Sequence, residues 1–298
     1  MAAVPATGSP TTRQRGGVNL RRSRAKRRAG RVATYLVAIV IGLFSVFPLF
    51  WMVLTSIKPR AEIVTREPVF WPSEFQWERY GDVLARGFTT YLVNSLIIAI
   101  TVTVIGVLVA ALAGYALARF DLPLKRYLLL VVLATQMFPV VVLLIPFFAV
   151  MRRLDLLNSY TGLIVTYMSF SIPLAIWILR GFFRGIPDEL EDAALVDGCS
   201  RFGAMWRIVL PLAGPGIAAC SIYVFIAAWN EFLFALTFTS SDSMRTLPVA
   251  LQAFIGRDAT DHGAIMAAST LFTLPVVIFF LFVHRRLTEG MVSGAVKG

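Results

Sequence analysis

Apolar runs long enough to cross a bilayer recur along this chain, and that recurrence excludes almost every soluble fold. They lie at 33–57, 92–117, 127–151, 160–183, 212–238 and 264–283. A hydrocarbon core of about 30 Å needs about 20 apolar residues in a helix, and lipid offers no partner to an open backbone. The runs therefore predict an all-α polytopic membrane protein with six transmembrane helices. Composition agrees: 57% of the 298 residues are hydrophobic and only 15% are charged, against about 25% charged in ordinary soluble domains. Pro139 and Pro146 interrupt the third run and Pro173 the fourth. Prolines at membrane depth predict kinks whose freed carbonyls face protein or water.

The formal charge of +11 points to topology rather than to nucleic acid. Residues 1–31 contain Arg13, Arg15, Arg21, Arg22, Arg24, Lys26, Arg27, Arg28 and Arg31 and no acid, which reads as a disordered basic tail at an anionic cytoplasmic leaflet. A cleaved signal peptide fits poorly, because the apolar run that follows exceeds the usual length and lacks a small-residue cleavage site. An even number of spans puts both termini on one side, and the basic tail makes that side cytoplasmic. The expected location is a bacterial plasma membrane, with 32–298 as the membrane domain and 287–298 as a C-terminal tail. Trp71 and Trp77 in the first external loop suit the membrane interface.

One long polar segment, 185–211, is trapped between the fourth and fifth spans. Pro187 suits a helix start, Asp188 and Glu189 favour the positive end of the helix dipole, and Gly198 suits a left-handed stop. Ser200 then offers a cap for a second helix, whose Phe202, Met205, Trp206 and Val209 repeat at helical spacing. In the first helix Leu190, Ala193 and Ala194 form an apolar stripe, with Asp188, Glu191 and Asp192 expected on the other side. Two helices around a turn also describe a DNA reader, but Asp188, Glu189, Glu191, Asp192 and Asp197 oppose phosphate, so no nucleic-acid partner is expected.

Within this elbow, Asp192-Ala193-Ala194, three residues, Gly198, nine residues and Ile208-Val209-Leu210-Pro211 resemble the EAA motif of ABC-importer permeases. Asp192 stands where that family usually has Glu. Asn94-Ser95-Leu96, 114–119, Trp229-Asn230-Glu231-Phe232 and 294–298 extend the similarity to the smaller permease of maltose- and trehalose-type importers. The resemblance implies that Glu191, Asp192, Ala193, Ala194, Gly198, Ile208, Leu210 and Pro211 couple the chain to an ATPase dimer. It further implies a second homologous permease, an extracellular or periplasmic sugar-binding protein and a disaccharide or oligosaccharide substrate. The loop 239–263 matches one that reaches into the binding protein, and Glu191 would stand in for Asp192 if that carboxylate were lost.

No G-x-x-x-x-G-K-[S/T] loop is present, so the chain is expected to be a transport subunit whose ATP is bound by a partner, with no cofactor of its own. Cys199, Cys220, His262 and His284 lack metal-ligand spacing, so no metal is expected. Glu231 is the one carboxylate inside an apolar run, and such a group faces a cavity or a partner. Asn230, Glu231 and Gln136 are thus pathway residues or inter-helix glue, and Tyr167, Phe170 and Trp229 are candidates for stacking on a sugar. A secondary transporter driven by an ion gradient is the alternative, disfavoured by the lack of a repeat between halves and of an acid in the third span.

Overall fold

A computed structural model of the chain describes residues 20–257 and 261–295, with side chains over 30–252 and 261–287. It divides into two compact units, 1–51 and 52–298. The first holds most of helix α1 (Leu20–Ser56), in which Phe47 stacks on Trp51 at 6.0 Å. The helix starts at Leu20, so the basic stretch expected to be irregular is helical from there on. Arg, Lys and Ala are good helix formers, and a long apolar helix supplies the nucleus they extend. Residues 1–19 of the predicted tail lie outside the described part.

The second unit is a bundle. Its elements are α2 (Glu78–Val83), α3 (Thr89–Arg119), α4 (Lys125–Thr135), α5 (Val140–Arg153) and α6 (Tyr160–Arg184). The elbow follows as α7 (Glu189–Val196) and α8 (Arg201–Leu212), then α9 (Gly214–Trp229), α10 (Leu233–Phe238), α11 (Leu247–Arg257) and α12 (His262–Ala295). Among the described residues four helices are long and apolar enough to span a membrane, or six spans result if each of two bent pairs counts as one. The centre of the bundle is α3 against α6 and α9. Ala99, Ala110 and Ala111 bring α3 close to its neighbours, and Val102, Leu179, Phe183, Val224 and Phe225 fill the remaining space. Small residues at crossings are how membrane helices gain dispersion contact where lipid gives no hydrophobic drive.

Two expected spans are interrupted, the third more sharply than by a proline kink. The third turns through 98° between α4 and α5, at Gln136–Pro139, where Pro139 is extended at ψ 122°. Pro146, by contrast, stays inside α5. The fifth ends at Trp229 instead of Phe238, and the chain re-forms as α10 after Asn230, Glu231 and Phe232. The expected loop 239–263 contains α11, whose Leu247, Val249 and Ala250 are buried. Helix α12 likewise runs on to Ala295, through most of the expected tail.

Polar side chains tie the segment 239–257 to the bundle. Asn94 Nδ2 donates to the carbonyls of Ser243 and Arg245, both at 2.8 Å, and Asn94 Oδ1 accepts from Tyr160 Oη at 2.7 Å. Leu247 N donates to Ser95 Oγ at 2.7 Å. From the turn between α5 and α6, Asn158 Oδ1 accepts from the amides of Ser240 and Ser241.

Candidate functional site

The elbow forms as its turn signals require. Helix α7 ends at Val196 with Asp197 as its C-cap, and Gly198 follows at φ +87°, a conformation that glycine adopts without the Cβ penalty of other residues. Ser200 Oγ then accepts from Gly203 N at 3.1 Å and caps α8. One wide turn over Met205–Val209 carries α8 into Pro211, partly buried Ile208 and Leu210 lying just before it.

The facing of α7 differs from expectation. Glu191 and Ala194 are buried, whereas Leu190, Asp192 and Ala193 are exposed. Glu191 Oε1 accepts from Tyr115 Oη and its Oε2 accepts from Arg119 Nε at 2.8 Å. The Glu191 and Arg119 side chains are 9% and 8% exposed. A carboxylate enters such a site only with charged and hydrogen-bonding partners, and these sit on α3. Glu191 therefore has no free oxygen on the outer surface with which to replace Asp192. Arg119 and Tyr115 were not anticipated; the available signal was one Arg closing a span next to an acidic elbow.

The outer face of the elbow is apolar. Val196 is 87% exposed, Phe202 64% and Trp206 53%, and Phe202 stacks on Trp206 at 6.3 Å. Asp192 lies among them, with Glu189 and Asp197 also exposed on the elbow. Gly198 is also exposed, with open space where a Cβ would go.

A second candidate region lies within the bundle. Glu231 Oε1 and Oε2 accept from the amides of Phe234 and Ala235 at 2.8 and 3.1 Å, so the carboxylate caps α10. It also lines a cavity of about 150 Å³ with Val140, Tyr167, Phe170, Ser171 and Tyr223. Gln136 Nε2 donates to the carbonyl of Phe170 at 3.2 Å, which places the break between α4 and α5 beside this cavity. Asn230 does not join them: its amide donates back to the Ile226 carbonyl of its own helix. Trp229 is buried, stacked on Phe225 at 5.8 Å.

Glu231→Ala is expected to destabilise α10 by about 1 kcal/mol through loss of its cap, with Glu231→Gln losing less. Hydrogen exchange at the Phe234 and Ala235 amides measures this; unchanged protection in Glu231→Ala would show that the cap contributes nothing.

Among the described residues no group of three or more His, Cys, Asp or Glu is placed to hold a metal ion. Comparison with known proteins gives a consistent answer. Residues 103–293 match the family described as binding-protein-dependent transport system inner membrane component. The sulfoquinovosyl glycerol transport system permease protein of Agrobacterium fabrum is 36% identical over 271 residues, covering 91% of this chain and 95% of that one. The trehalose transport system permease protein of Mycobacterium tuberculosis is 38% identical over 275 residues, covering 90% and 99% respectively. Among solved structures, a bacterial ABC transporter involved in the import of the acidic polysaccharide alginate is similar in fold. It has a TM-score of 0.72 at 24% identity, with 88% of this chain and 97% of that chain covered.

Proposed function

The chain belongs to the family of binding-protein-dependent transport system inner membrane components, a transport subunit rather than an enzyme, and from that premise we propose that it forms half of a sugar pathway. Its partners in this reading are a second homologous permease, an ABC ATPase dimer that binds the ATP, and an external sugar-binding protein. The observation that carries it is the exposed apolar face of the elbow. Val196, Phe202 and Trp206 stand clear of the bundle on a polar segment between spans, and such a patch outside lipid marks a protein interface. The basic N-terminal stretch supports a cytoplasmic elbow and cytoplasmic termini. The substrate is a sugar of disaccharide or small glycoside size, a reading supported by the transport systems in which the similar permeases work. Glu231 and Gln136 face its route, and Asn230 stands at the helix break. The ion-gradient alternative has no support from any of these relatives.

The test is to purify the chain with its second permease, ATPase and binding protein and to screen sugars for stimulated ATP hydrolysis. Stimulation by a glycan is expected. Sugar uptake down an ion gradient by this chain alone would overturn the reading.

Gly198→Val should separate hydrolysis from transport in that complex. A β-branched residue at φ +87° costs about 1–3 kcal/mol, so the turn re-forms and α8 leaves it at a new angle. Hydrolysis should persist while uptake falls; uptake at the wild-type level would show that turn geometry does not carry the signal.

A further inference from the structure

We infer that α3 is a strut joining the coupling elbow to the segment 239–257 at its other end, with Tyr115 and Arg119 as positioning residues at one end and Asn94 and Ser95 at the other. The inference rests on the importer reading above and assigns the residues through which the two segments are linked.

At the elbow end, Arg119 grips three points around the start of α7. Its Nε bonds Glu191 at 2.8 Å, its Nη2 donates to the Ile186 carbonyl at 2.9 Å, and its Nη1 pairs with Asp188 at 2.5 Å. Tyr115, one turn earlier on the same face of α3, holds the other oxygen of Glu191. The Tyr115 ring packs edge-on against Phe120 and Phe183, each at 6.1 Å, and Arg201 of α8 lies 5.7 Å from the Phe120 ring. A buried ion pair of this kind adds little net stability over an apolar contact. What it adds is direction, because a planar guanidinium bonded to three separate oxygens fixes orientation as well as distance.

At the far end, Asn94 and Ser95 bond three backbone groups, the carbonyls of Ser243 and Arg245 before α11 and the Leu247 amide at its start. From Asn94 to Arg119 a helix spans about 38 Å at 1.5 Å per residue, and its centre is clamped in the bundle core by Ile98, Ala99, Val102 and Ala110. A rigid, laterally confined helix with oriented polar bonds at both ends moves the two attached segments together. A displacement of the elbow by its partner therefore reaches the segment at 239–257 without passing through the lipid-facing helices.

The experiment uses the assembled complex with its binding protein, comparing Tyr115→Phe, Arg119→Lys, their double variant and Asn94→Leu with wild type. Each is read as sugar transported per ATP hydrolysed and as complex recovered. Tyr115→Phe removes only a hydroxyl and Arg119→Lys keeps the charge but loses the fork. Each single variant is expected to lower transport per ATP about fivefold at normal complex yield, the double variant to be no worse than the weaker single, and Asn94→Leu to reproduce the loss from the other side. Unchanged ratios, additive losses in the double variant, or losses that merely follow complex yield would overturn the strut. Wild-type complex in which the binding protein fails to stimulate hydrolysis would instead overturn the importer reading itself.

Discussion

Replacing Asp192 with alanine is expected to weaken binding of the ATPase by about 2–5 kcal/mol, the usual cost of removing one side of a charge pair that becomes dry at an interface. At about 1.4 kcal/mol per tenfold, that is roughly 30- to 4000-fold in Kd. The expectation follows from the apolar surroundings that dry the site. Around Asp192 stand Leu190, Ala193, Val196, Phe202 and Trp206, with Glu189 and Asp197 exposed as further acids, while Glu191 is turned inward onto Arg119 and cannot share the load. Asp192→Glu keeps the charge with a longer reach and should bind at least as well. Titrating the purified ATPase into membranes carrying each variant gives the Kd values directly. An Asp192→Ala variant that binds as tightly as wild type would leave docking to the apolar residues alone, with Trp206→Ala as the next substitution to measure.

The second large effect is on stability and comes from Gly162. A Cβ built there would lie 2.1 Å from the carbonyl oxygen of Leu156 and 3.1 Å from its carbonyl carbon. Both are backbone, so no side-chain rotation relieves the clash. The same amide is held by Ser159 Oγ at 3.1 Å, which caps α6, and the turn before it contains Asp155 and Asn158 at φ 55° and 52°. Gly162→Ala must open this corner and lose the cap, at a cost at the upper end of the 1–3 kcal/mol typical of overpacking. A lowered thermal midpoint in detergent, together with loss of the Asn158 bonds to Ser240 and Ser241, is the expected result. A midpoint within about one degree of wild type would show that the corner relaxes freely.

Much of this architecture was legible because hydropathy and turn chemistry are local. The spans at 92–117 and 160–183 fall inside α3 and α6, and Gly198 and Ser200 take up the turn and the cap that their types predict. What was not legible depends on partners distant in the chain. Glu191 looks like a solvated acid until Arg119, 72 residues earlier, is brought beside it. Glu231 looks like a charge inside an apolar run toward the outer end of a span, yet it makes its own helix end by accepting from the amides of Phe234 and Ala235. The 98° bend was announced by Pro139 only as a kink; a proline marks where hydrogen bonds are lost, and the surrounding packing decides how far the chain then turns.

The stacked Phe202 and Trp206 have a consequence before any transport takes place. A copy of this chain made in excess of its ATPase carries two aromatic rings and Val196 facing water, the kind of surface that chaperones and proteases read on incompletely folded proteins. Orphan subunits would then be the first to aggregate or be cleared, and the supply of the ATPase would set how many copies persist. If the ATPase covers the patch as proposed, correct assembly is what removes it from solvent.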